Sequence, residues 1–105
     1  MKGFSEKQIK TLLSKLYWDM EINPDELYSL LIGETDKIGH IQQSNLFYRI
    51  LISYDWYTIL KLIPPKEFNK LLEDDILNRI HPKDLKEKYL YARNVISKKN
   101  LSSAE

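Results

Sequence analysis

The stretch DWYTILKLIPPKEFNKLLEDDILNRIHP, residues 55 to 82, decides the fold class. Trp56, Ile59, Leu60 and Ile63 recur at i, i+3, i+4 and i+7, the spacing that lines one face of a helix, and Asp55 stands where a side chain can cap it. Pro64 and Pro65 stop that helix, because proline has no N–H to give and its ring clashes with the preceding turn. Pro65 suits the first position of a following short helix carrying Phe68, Leu71 and Leu72. EDDILNRI then supplies a further turn or two with Ile76, Leu77 and Ile80. Its acidic run, Glu73, Asp74 and Asp75, is explained by the positive end of the helix dipole, and Asp75 can pair with Arg79 at i, i+4. It lacks the alternating acids and central glycine of a calcium loop.

Towards the C-terminus, HPKDLKEKYLYARNVISKK predicts a long closing helix from about Pro82. Leu85, Tyr89, Ala92 and Ile96 fall within about 60° of one another on a helical wheel, with Val95 flanking them. Lys86 and Arg93 share one flank of this stripe, and Lys88 and Lys99 the other. Lys83 with Glu87 and Asp84 with Lys88 can pair at i, i+4. Lys86, Tyr91 and Arg93 are left as side chains expected to be exposed and free to meet a partner. The tail from 98 to 105 is expected to fray.

Towards the N-terminus, Ser5 and Gln8 form a capping box, and Ile9, Leu12, Leu13, Leu16 and Met20 predict a buried stripe reaching about Trp18. Asn23, Pro24, Asp25 and Glu26 open a second helix with Leu27, Leu30 and Leu31 inside, and Gly33 closes it. A third helix is expected from Ile38 or His40 to Ser53. No segment reads as a strand: alternating runs are absent and Asn-Gly or Asp-Gly hairpin signals are missing. The expectation is therefore an all-α fold, a compact array of six or seven short helices with a longer C-terminal helix, in a single domain of residues 1 to 97.

The 105 residues are enough for one core, burying roughly 60 to 70 % of the extended chain's surface. Sixteen basic and fifteen acidic residues leave a formal charge of +1. Such a balance gives no overall attraction for a polyanion, although residues 55 to 105 are mildly basic, with ten basic and eight acidic groups. There is no cysteine, which removes disulfides, thiolate metal sites and cysteine nucleophiles. The start lacks a signal peptide's apolar run and no apolar stretch is long enough to span a bilayer, so a cytoplasmic protein is expected.

His40 and His81 lack partners at metal-binding spacing, and Gly3, Gly33 and Gly39 cannot build a phosphate-cradling loop. No metal, cofactor or catalytic constellation is expected. A helix-turn-helix over residues 55 to 72 fails on charge, because its second helix sets Lys66 and Lys70 against Glu67, Glu73 and Asp74. Trp18 points nearly opposite to the stripe of its own helix. Burial beneath another element is the favoured expectation; exposure would make it an interface anchor.

LYWDMEINPDEL, residues 16 to 27, LFYRILISYDWYTILKLI, residues 46 to 63, and IHPKDLKEKYLYARNVI, residues 80 to 96, together carry a resemblance. The chain resembles a family of small uncharacterised bacterial all-helical proteins, often encoded beside nucleotidyltransferase-like toxins of the abortive-infection class. Leu16, Tyr17, Trp18 and Asp19 match its opening, Asp55 and Trp56 its middle step, and Pro82 and Lys83 its last. His81 stands in place of that family's serine. The resemblance implies a non-enzymatic protein-interaction module, a regulatory or antitoxin-like partner of a nucleotidyltransferase. Self-association, or a nucleic-acid-binding regulator using the C-terminal half, are the alternatives. Trp18, Asp19, Lys86, Tyr91 and Arg93 are the candidate partner contacts.

Overall fold

A computed structural model describes residues 3 to 104, with side chains to residue 96. Seven α-helices are present among them: α1 (Glu6–Leu16), α2 (Pro24–Leu31), α3 (Gln43–Ser53), α4 (Trp56–Leu62), α5 (Phe68–Leu71), α6 (Asp74–Leu77) and α7 (Lys83–Ala104). The all-α expectation holds, with one small exception. The backbone of α7 runs to Ala104, while the side chains from residue 97 onward, and with them the expected fraying of the tail, lie outside the described residues.

The helix starts follow from local capping. Ser5 and Gln8 exchange hydrogen bonds of 3.2 and 2.8 Å in the capping box of α1. Asn23 accepts from the Asp25 N–H at 2.8 Å, and Asp55 from the Thr58 N–H at 3.1 Å. Each side chain satisfies a backbone donor that the first turn of a helix leaves free.

The helix ends are closed differently. α1 stops at Leu16, short of the expected Trp18, and Tyr17 turns into the core. The guanidinium of Arg49, from α3, donates to the Leu16 carbonyl at 2.8 Å and lies 4.4 Å above the Tyr17 ring. Because Tyr17 is turned inward just past the helix, Trp18 and Met20 are left outside. Met20, expected on the buried stripe, is exposed.

The third helix begins at Gln43, later than expected, because residues 37 to 42 form a minute antiparallel hairpin that contradicts the reading of no strands. Lys37 pairs with Gln42 and Ile38 with Ile41. Gly39 holds φ at +57° in the first position of the two-residue loop, where a type II′ turn needs a positive angle. Ile38 and Ile41 pack against the core, so their contribution is read in period 2 over only four residues. That is too short for periodicity to register.

Every helix contributes to the core: Leu13, Leu30, Phe47, Leu51, Ile59, Leu71, Leu77 and Tyr89 are among its buried members. On α4 the inward face is Ile59 and Leu62, continued by Ile63, while Trp56 and Leu60 are only half-buried. Among the described residues one acid is buried: Glu67, in the 3-10 turn Pro65–Glu67 that precedes α5. Its carboxylate lies 3.6 Å from the Lys70 ammonium and accepts a 3.5 Å bond from the Gln43 amide, which also donates to the Leu31 carbonyl. These contacts join the end of α2, the start of α3 and the 3-10 turn.

Candidate functional site

Several large apolar side chains stand exposed among the described residues. Trp18 and Ile52 line one hollow, with Met20 two residues beyond Trp18; Tyr91 and Val95 line a groove, and Tyr57 stands on α4 beside it. A scattered apolar residue is ordinary on a surface, and a set lining one groove is not.

Tyr91 and Val95 edge a groove of about 340 Å³ between α4 and α7. Asp55 caps α4 and so fixes the helix start at Trp56, placing Trp56 and Leu60 one turn apart on one wall. From α7, Tyr89, Ala92 and Ile96 supply the inner side, while Tyr91 and Val95, four residues apart, rise along the outer edge. The Trp56 ring is tilted against Phe68 at 6.3 Å and 53° and against Tyr89 at 6.0 Å and 55°, contacts that hold the indole from two sides. Tyr89 is locked in turn by its 2.6 Å hydrogen bond to the Leu51 carbonyl. Burial, aided by the charge of Asp55, pushes its phenol up to about 12. The wall is therefore a rigid apolar surface.

Lys88 is the single charged residue of the groove among the described side chains, and its positive charge also acts on the Asp55 carboxylate. Asp55 is held below the usual carboxylate range, first by its hydrogen bonds from Thr58. Tyr57, 70 % exposed, lies about 60° from Leu60 around α4 and extends the apolar surface.

Trp18 itself is 83 % exposed. The burial favoured from the sequence is thus overturned: with α1 ended at Leu16, no described residue covers this position. Trp18 shares a hollow with Asp19, Lys15, Arg49 and Ile52, and Asp19 is itself exposed.

The five candidate contacts therefore fall in three settings. Trp18 and Asp19 stay together, and Tyr91, 72 % exposed, belongs to the groove. Arg93 is not free as expected. It is half-buried, ion-paired with Asp74 of α6 and hydrogen-bonded to the Leu72 carbonyl, so that it fastens α7 to the α5–α6 corner. The pairing holds the Asp74 carboxyl below its ordinary range, by hydrogen bond first and charge second. Lys86, expected to be exposed, is half-buried one heptad before Arg93 on the same flank, and its charge too acts on Asp74.

Trp56, Leu60, Val95 and Lys88 were not legible as a site, because a groove wall and a core stripe share the same helical spacing. The one signal was Tyr91 with Val95 at i, i+4 beside the main stripe, a broader apolar face than a helix covered on one side requires. Among the described residues no three His, Asp or Glu side chains group as a metal site, and no helix is long and apolar enough to cross a membrane. No family model, curated protein or solved structure matches the chain.

Proposed function

We infer that the chain is a non-enzymatic, protein-binding helical module, a regulatory or antitoxin-like partner that docks through the α4/α7 groove and the Trp18 edge. The observation that carries this reading is an apolar groove edged by the exposed Tyr91 and Val95, together with a protruding Trp18 indole elsewhere on the surface. Tryptophan and tyrosine are the residues that most often dominate binding energy at interfaces. A nucleotidyltransferase as the partner follows from the family resemblance alone.

The alternative of a nucleic-acid-binding regulator gains little from the geometry. Arg93 is paired with Asp74, Arg79 with Asp75 at 3.8 Å and Lys83 with Glu87 at 3.9 Å, so both arginines of the C-terminal half are matched by acids. Counterion release requires cations that meet phosphates instead.

The test is recovery of the chain at native abundance beside two variants, Val95→Glu and Trp18→Ala. A partner held by the native chain and lost from either variant supports the reading. An identical set of proteins from all three, or none from any, sinks it. Affinity for DNA or RNA that falls steeply with salt would transfer the argument to the alternative.

A further inference from the structure

The two exposed apolar features are complementary in shape and charge. One is convex: the Trp18 indole, 83 % exposed, followed directly by the exposed carboxylate of Asp19. The other is concave: an apolar groove whose only charged lining residue among the described side chains is the cation Lys88. A volume of about 340 Å³ lies at the small end of pockets that accept organic groups, roughly 300 to 1,000 Å³, the scale of one aromatic side chain with its flanks.

Within one chain the two do not meet, because Trp18 lines a separate hollow with Arg49 and Ile52. We propose that the groove of one copy receives the Trp18–Asp19 edge of a second copy, with the indole against Trp56, Leu60 and Val95 and the Asp19 carboxylate beside Lys88. This rests on the reading of the groove as a docking surface and names its occupant. The contact is heterologous, using a different surface on each copy. Every open assembly therefore keeps one free indole at one end and one free groove at the other, and association continues head to tail until a ring closes or a chain grows. A single aromatic anchor with a rim ion pair gives weak, reversible association, with the charge pair contributing the smaller share.

Sedimentation velocity of the full chain from about 10 μM to about 1 mM, the range suited to a single-anchor contact, measures it. The native chain should sediment faster as concentration rises. Trp18→Ala removes the indole and Val95→Glu places a charge in the groove; each alone should remain monomeric, with association weakened at least about tenfold. Both positions are exposed, and circular dichroism confirms that each variant is folded. Mixed in equal amounts, the variants should form a dimer that grows no further, because one retains the groove and the other the indole. Asp19→Lys should weaken association by roughly two- to fivefold, and Lys88→Glu in the same chain should restore it.

A native chain that stays monomeric throughout overturns the proposal, as does a mixture that stays monomeric. Association lost in Val95→Glu but intact in Trp18→Ala removes the second copy's indole as occupant while leaving the groove a docking surface. Association unchanged in both removes the groove as well.

Discussion

The hydroxyl of Tyr89 donates a 2.6 Å hydrogen bond to the backbone carbonyl of Leu51, deep in the core. Leu51 lies in the last turn of α3, where carbonyl groups have no partner four residues on, so α7 closes α3 from a distance of 38 residues in the chain. Tyr89→Phe keeps the ring and its contact with Trp56 but leaves that carbonyl buried and unpaired. The expected cost is about 1 to 3 kcal/mol, read from urea unfolding with an unchanged slope. A loss below about 0.3 kcal/mol would mean that water already serves the Leu51 carbonyl.

The same tyrosine predicts alkaline sensitivity. Its phenol ionises at about 12 in the folded protein, above the ordinary value of 10. Between those values the unfolded chain has released the proton and the folded chain retains it, so stability present below pH 10 is lost as pH rises towards 12. Unfolding midpoints over that range should fall more steeply for the native protein than for Tyr89→Phe. Parallel curves would refute the assignment.

Gly33, just past α2, has φ of +85°, and a Cβ there would lie 3.1 Å from the Glu67 carboxylate. Gly33→Ala therefore meets both backbone strain and the buried acid, and should cost about 1 to 2 kcal/mol. Gly39 has φ of +57° with nothing within 4 Å of an added Cβ, so Gly39→Ala should cost distinctly less, since it meets the backbone strain without the contact. Thermal melts of the two variants give the comparison; equal losses would show that the Glu67 contact is immaterial.

Arg93 bonds both the Leu72 carbonyl and Asp74. Arg93→Ala should lower stability by about 0.5 to 1.5 kcal/mol, and Asp74→Asn by less, because the ion pair is exposed while the carbonyl is not replaced. Asp74 ionises below its ordinary value, so its contribution is present above the unfolded value of 3.8 and disappears as pH falls through the folded one. Acid titration of stability should be shallower in Asp74→Asn; a steeper curve would contradict the pairing.

The two tryptophans should separate cleanly. Trp18→Ala should change stability by no more than about 0.5 kcal/mol, as expected for an exposed position, whereas Trp56→Ala, which removes the ring between Phe68 and Tyr89, should cost about 2 kcal/mol or more. At dilution, acrylamide should quench the fluorescence of Trp18 far more readily than that of Trp56. A protected Trp18 in the dilute protein would show that some part of the chain covers it.

The contrast between helix starts and helix ends explains what was legible. Ser5, Asn23 and Asp55 cap donors two or three residues away, so each start was fixed by the neighbouring sequence, and with the 3.6-residue stripes they determined an all-α chain and most of its core. The ends of α1, α3 and α5 are closed by Arg49, Tyr89 and Arg93, whose carbonyl partners lie 33, 38 and 21 residues away. Local spacing holds no record of those meetings. Only the tertiary structure decided that Tyr17 turns in and Trp18 out, that Arg93 is engaged, and that Tyr91 and Val95 edge a groove. Periodicity tells which face of a helix is apolar, whereas the packing of the other helices decides how much of that face is covered.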